Sequence, residues 1–358
     1  MEAFRKIIEV VEWEAFHKDK VESGIRRMLG RVDVVALHFL ENCVSCALCK
    51  TACPYYYVDE KYSPVNKAEE ARKIYRKELT FAGKLLGPLV HARKPGSAED
   101  LRRIAEFAYA CTNCGACYVM CPFGIDSGAL INHIRTLLTA TGRVPTILQA
   151  FEMAEISGMY LEIPGLMQAW NEVMKKAAEA IGRELPFDRE GAEIMLFPTL
   201  IDALFTPGAV VGAIKLLTRM GVDWTLPSKP LGIRPPIATV IGDAEGVKTQ
   251  LSRVHEYLEK MKPKKVVLVD GGFVYPAMRW KLPTVLGTRP SYTVLHIVEV
   301  VHEALKKGGL KVKTTDDKVT WHSPCQLGRR GGDGLHDQGH ARDDGEAAGD
   351  VSLRPYRQ

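Results

Sequence analysis

At 358 residues the chain exceeds one average domain and predicts two. Apolar residues make up 46% and charged residues 25%, which suits a soluble globular protein with a sizeable core. The formal charge of +5 is modest, and its cations sit among acids, which argues against nucleic acid as a partner.

In chain order, the N-terminus leads into an amphipathic helix with acids inside it and does not resemble a signal peptide. The first motif is Cys43-x2-Cys46-x2-Cys49-x3-Cys53-Pro54. An insert follows, and it predicts helices. One spans residues 65–84, with Ala68, Ala71, Ile74, Tyr75 and Leu79 at helical spacing. Its charges, Arg72, Lys73, Arg76 and Lys77 beside Glu69, Glu70 and Glu78, read as a solvated face. A second helix spans 98–110, with Ser97 as N-cap and Asp100 in its first turn. The second motif, Cys111-x2-Cys114-x2-Cys117-x3-Cys121-Pro122, repeats the first. A helix over 126–141 then ends near Gly142.

Both runs have the bacterial ferredoxin spacing, including the proline after the last cysteine. Three thiolates at intervals of three residues reach three corners of one cubane, and the fourth points away to the other cluster. By that crossing rule Cys43, Cys46, Cys49 and Cys121 hold one [4Fe–4S] cluster, and Cys111, Cys114, Cys117 and Cys53 hold the second. Zinc favours two separated C-x2-C pairs, and disulfides are rare in a cytoplasmic chain, so neither fits two four-cysteine runs. Gly115 and Ala116 leave room for backbone N–H groups to approach the cluster. A domain tied together in this way folds around its metal.

Residues 144–189 read as a mostly helical bridge broken at Pro164 and Pro186. From about Ala192 the pattern alternates, with strands at 194–197, 237–241, 266–269 and 319–322 and helices at 207–220, 247–261 and 294–307. This predicts an α/β layer with a partly parallel sheet. The domains are therefore residues 1–145, a helical two-cluster ferredoxin-like domain; 146–190, a bridge; 191–330, the α/β domain; and 331–358, an aperiodic Gly- and Asp-rich tail expected to be disordered or aberrant. No dinucleotide fingerprint, P-loop or nucleophile elbow occurs. No stretch approaches the ~18 uninterrupted apolar residues of a membrane span. The expected location is the cytoplasm, or the inner face of the membrane through a partner.

Several runs carry a family resemblance: both cysteine motifs, Cys117-Tyr-Val-Met-Cys-Pro-Phe-Gly-Ile-Asp126, Leu196-Phe-Pro198, Gly221-Val-Asp-Trp-Thr-Leu226 and Trp321-His-Ser-Pro-Cys-Gln-Leu-Gly-Arg329. The stretch from Lys73-Ile-Tyr-Arg76 through Gly83-Lys-Leu-Leu-Gly87 adds to them. From Glu41 to about Gly332 the chain resembles the D-type iron–sulfur subunit of heterodisulfide-reductase-like complexes. These include menaquinol-oxidising membrane complexes and the K-type branch linked to sulfite reductase. The resemblance implies an oxidoreductase subunit that relays electrons from a membrane b-type cytochrome or quinol-oxidising partner toward thiol/disulfide chemistry. It also implies a C-terminal cysteine-rich module in which Cys-Cys-Gly motifs hold a catalytic iron–sulfur centre.

That module is expected to be degenerate and truncated here. Cys325 stands where its first cysteine would be, but no Cys-Cys pair follows, and Thr199 and Gly271-Gly272 occupy the upstream cysteine positions. One thiolate cannot hold a multinuclear cluster, so this chain lacks a complete catalytic centre of that kind. Cys325 reads either as a small buried thiol or as a redox ligand completed by another chain, and His322 as a turn histidine. A frameshift near Arg329–Gly332 is one account of the tail. Two other functions fit the residues: the iron–sulfur subunit of a flavin-linked dehydrogenase, of the glycerol-3-phosphate or glycolate type, and a scaffold whose clusters only stabilise the fold.

Overall fold

The computed structural model describes residues 15–310, 318 and 324–332. The expected N-terminal helix before Ala15, the strand at 319–322, His322 and the tail beyond Gly332 lie outside them. The chain forms two compact units. One holds the residues up to Phe151 plus Ala238–Ala244, and the other holds Glu152–Ile237 and the chain from Glu245 onward. Most of the stretch expected as a bridge thus belongs to the second unit.

The first unit is helical, with α1 at Lys18–Leu29, α2 at Val34–Glu41, α3 at Pro64–Leu79, α4 at Ala98–Tyr109 and α5 at Ser127–Ala140. Side-chain caps set four of the starts. Asp33, Ser63, Ser97 and Asp126 each accept the backbone N–H three residues on, at 2.7, 3.3, 3.1 and 3.1 Å. Helix α3 stops before the expected end. Thr80 leaves the helical region, and its Oγ1 accepts the Gly83 N–H at 3.0 Å to start a separate short helix, Phe81–Leu86. A Cβ at Gly83 would lie 2.0 Å from the Arg76 carbonyl oxygen, so only glycine fits that break.

Helix α5 is the centre of this unit, with α1, α2, α3 and α4 all packed against it. Its apolar residues Leu130, Ile131, Ile134 and Leu138 join Phe39, Ala68, Ala71, Tyr75, Ile104 and Ala108 in one core. Helix α1 approaches so closely that a Cβ on Gly24 would meet Leu137 Cδ1 at 2.7 Å. The supposed solvated face of α3 is a correction. Arg72 and Glu70 are buried: Arg72 Nη2 donates to the Phe39 carbonyl at 3.2 Å, and Glu70 pairs with Lys73 at 2.9 Å and Arg103 at 2.7 Å.

The second unit contains a four-stranded sheet, β1 Ile194–Phe197, β2 Trp224–Thr225, β3 Lys265–Leu268 and β4 Thr293–His296, in the order β2-β1-β3-β4. Every pairing is parallel; Ile194 faces Trp224 and Lys265, and Lys265 faces Thr293. The strands are short and apolar, as expected of a sheet covered on both faces. Helices α6 Pro164–Ile181, α7 Pro207–Arg219, α8 Ala244–Met261 and α9 Ile297–Lys306 accompany it.

Two expected elements change identity. Residues 237–241 form a short helix, Ala238–Ile241, that belongs to the first unit. The carbonyls of Val240, Ile241 and Gly242 there accept Arg135, Thr139 and Thr136 side chains from α5, at 2.7, 2.6 and 2.8 Å. The expected helix over 294–307 is a strand followed by a helix. The junction is a capping box, in which His296 N donates to Glu299 Oε2 at 2.7 Å and Val298 N donates to His296 Nδ1 at 3.3 Å.

Candidate iron–sulfur centre

The two cysteine loops share a backbone shape as well as a spacing. Ser45 and Ala47 have φ of 55° and 60°; the equivalent residues of the second loop, Asn113 and Gly115, have 56° and 78°. Three of the four are not glycine, and a side chain in the left-handed region costs roughly 1–2 kcal/mol. Such strain persists where the surroundings over-determine it, typically at ligand-clamping sites. Left-handed residues alternating with right-handed ones turn successive N–H groups to one side, forming the concavities that hold anions and iron–sulfur clusters. Each loop then runs into a short helical turn, Leu48–Ala52 or Ala116–Val119, before its fourth cysteine and proline.

Cys49 and Cys53 are buried, Cys46 is exposed, and the other five cysteines of the two runs are half-buried. Burial, followed by the charges of Cys121, Cys43 and Cys46, pushes the Cys49 thiol up to about 11. Cys121 thus acts on Cys49 of the other run. A multi-iron core is cationic and displaces the protons of the thiols that bind it. Among the described residues no three His, Cys, Asp or Glu side chains close on a single ion; cubane thiolates each bind a different iron and stand apart. Asn113 N–H points at Cys111 Sγ over 3.3 Å, a donor of the kind that tunes cluster sulfur. The donor set and the loop shape both fit [4Fe–4S] clusters.

Two cations beside these thiols were not singled out in the sequence. Lys67 on α3 is buried, with Nζ 3.6 Å from Cys53 Sγ, 2.8 Å from the Ala110 carbonyl and 5.2 Å from the centre of the Tyr55 ring. It therefore links Cys53 to the residue before Cys111. Arg135 on α5 is also buried. It donates to the carbonyls of Ala108 at 2.8 Å, Cys111 at 2.5 Å and Val240 at 2.7 Å. Lys50, the charge nearest the first run in sequence, instead stacks over Tyr56.

A 4Fe-4S dicluster domain model matches residues 39–125, which include both cysteine loops. The chain is 30% identical over 178 residues to the Hdr-like menaquinol oxidoreductase iron-sulfur subunit 2 of Archaeoglobus fulgidus, covering 47% of this chain and 32% of that protein. It is 25% identical over 307 residues to the D-type subunit of the dihydromethanophenazine:CoB–CoM heterodisulfide reductase of Methanosarcina mazei, covering 83% and 71%. The chain is related to the heterodisulfide-reductase-like iron–sulfur subunits. It also aligns with the EtfAB:quinone oxidoreductase of Syntrophomonas wolfei at 24% identity, over 94% of this chain and 48% of that protein. The match spans about a third of the length of the Archaeoglobus relative. No solved structure matches it. Among the described residues no helix is long and apolar enough to cross a membrane.

In the second unit the strand order reverses direction between β1 and β3, and ligands of open parallel sheets bind beyond the carboxyl ends of strands at such a point. The loops there carry Thr199 and Gly271-Gly272, the residues expected from the sequence to occupy cysteine positions. Thr199 is buried and exchanges capping-box hydrogen bonds with Asp202. Gly271 faces Pro324, so the loop after β3 lies against the residue preceding Cys325. Arg234 grips Asp270 through two hydrogen bonds, of 2.9 and 2.7 Å. A Cβ on Gly272 would lie 1.8 Å from Arg234 Nη2, so this grip requires glycine. Burial, then the Asp270 carboxylate, raises Asp202 to about 6. Cys325 is half-buried, and the chain after it packs on the sheet's core through Leu327.

Proposed function

We propose that this chain is an electron-transfer subunit of a heterodisulfide-reductase-like redox complex. In this reading it holds two [4Fe–4S] clusters, one on Cys43, Cys46, Cys49 and Cys121 and the other on Cys111, Cys114, Cys117 and Cys53. The observation that carries the reading is the repeated loop shape, left-handed at the second and fourth positions after the first cysteine of each run. The crossed ligand sets are supported by the action of Cys121 on Cys49 and by the Lys67 link from Cys53 to Ala110.

A bound cubane stores and releases one electron at a time. The chain's part is to fix eight thiolates, aim backbone N–H groups at sulfur, and exclude water around Cys49 and Cys53. The donor would be a quinol-oxidising or b-type cytochrome partner, in keeping with the name of the Archaeoglobus relative. The acceptor would be thiol/disulfide chemistry. The second unit is a degenerate Cys-Cys-Gly module, with Thr199 and Gly271-Gly272 in place of ligands, so that chemistry would need another chain or a longer polypeptide.

Anaerobic reconstitution followed by iron analysis and EPR tests the reading. About eight irons per chain and two reversible signals are expected. Cys43→Ala and Cys121→Ala should abolish the same signal, and Cys111→Ala and Cys53→Ala the other. Loss of one signal from Cys43→Ala and Cys53→Ala together would refute the crossing. Clusters that cannot be reduced would favour a purely structural role, and co-purification with a flavoprotein would favour a flavin-linked dehydrogenase.

A further inference from the structure

Lys67 and Arg135 are both buried, and among the described residues their partners carry no carboxylate. Around Lys67 these are the Cys53 thiol, the Ala110 carbonyl and the face of Tyr55. Around Arg135 they are the carbonyls of Ala108, Cys111 and Val240 and the face of Tyr109, 5.1 Å away. A buried cation is expensive unless an anion compensates it. Lys67 meets Cys53 Sγ directly and Arg135 holds the backbone of Cys111, and in the two-cluster reading both cysteines belong to one anionic thiolate set. The other set differs, because Cys46 is open to solvent.

We infer that Lys67 and Arg135 are potential-setting residues, which make the cubane on Cys53, Cys111, Cys114 and Cys117 the preferred resting place of an electron shared by the pair. The inference rests on the two-cluster reading above. Reduction adds a negative charge to a ligand set that is already anionic. A fixed cation stabilises the reduced form more than the oxidised one, because the attraction scales with the charge it faces. The low dielectric around two buried side chains keeps that difference from being screened. Solvent at Cys46 pulls the other cubane in the same direction, so the gap in the wild-type chain is a poor measure and the effect of a variant is the right one.

The test is redox titration, monitored by EPR, of the reconstituted full-length chain and of Lys67→Met, Lys67→Gln and Lys67→Arg. The neutral variants should disfavour reduction of one cluster by about tenfold, a fall of about 59 mV for a one-electron couple. The second cluster should stay where it was, and Lys67→Arg should stay near wild type. Equal shifts in both clusters, or none in either neutral variant, would overturn the inference and leave the two-cluster reading standing. If the neutral variants fail to retain one cluster while Lys67→Arg retains both, the need for the charge is upheld. Loss of a cluster in all three would show that Lys67 acts by packing and would overturn it. A wild-type chain that takes up one cluster would overturn the underlying reading instead.

Discussion

Glu155 lies in a pocket where Arg234 N–H donates to its Oε2 at 2.9 Å, and burial raises its carboxyl to about 7. A carboxyl whose folded value lies above its unfolded one binds more protons folded than unfolded. Stability therefore falls as pH rises from about 4.5 to about 7 and is flat beyond. The ceiling on this effect is about 3 kcal/mol. Thermal melts from pH 5 to pH 8 should show the decline, and Glu155→Gln should flatten it and melt higher at pH 8. The paired glycines after β3 give a second contrast. Gly272→Ala should cost about 3 kcal/mol by displacing Arg234 from Asp270. Gly271→Ala meets only Pro324, at 3.4 Å, and should melt within about 0.5 kcal/mol of wild type. The eight cysteines of the two runs stand out in the sequence because their spacing is local. Lys67 and Arg135 do not, because a cation on an amphipathic helix looks the same in sequence whether it meets water or a thiol. The Lys67 contact spans 14 positions and the Arg135 contacts span 24 and 105.

Helix starts were legible where a side chain caps them, as at Ser97 and Asp126, and strand β1 where an apolar run is bounded by Pro198. The caps carry weight in α5, on which the first unit is assembled. Asp126→Ala should destabilise that unit by about 1 kcal/mol, visible as a lower melting temperature of the reconstituted protein. Elements were misread where tertiary partners decide. Residues 237–241 have the apolar content of a strand, yet their carbonyls are taken by α5 side chains, which no local pattern announces. Strand β4 was absorbed into the following helix because Val294, Leu295, Ile297 and Val298 form one apolar run. The only local break is His296, an unusual cap.

Across the whole molecule the two units hold different kinds of core. The second packs Met195, Phe197, Leu251, Val266, Leu268 and Leu327 around its sheet. In the first, the core that holds Ile131 and Leu138 also has Cys43, Cys111 and Cys121 packed against it. Chelation of iron should therefore loosen the first unit selectively. In hydrogen exchange, residues 34–141 should lose protection while β1, β3 and α8 keep theirs; uniform loss would contradict it.

The short helix Ala238–Ile241 lies between two stretches of the second unit yet belongs to the first, so the polypeptide changes unit at 151/152, 237/238 and 244/245. A gene cut at 151/152 or at 237/238 separates this helix from the rest of the cluster-binding unit, and only a cut at 244/245 leaves that unit whole. A fragment ending at Phe151 would orphan the donors of Arg135, Thr136 and Thr139, and with them the anchor of the guanidinium beside Cys111. Unlike a small ferredoxin, this relay is not a portable cassette. Its minimal piece is residues 1–244, which must carry along the stretch of the second unit that lies between Phe151 and Ala238.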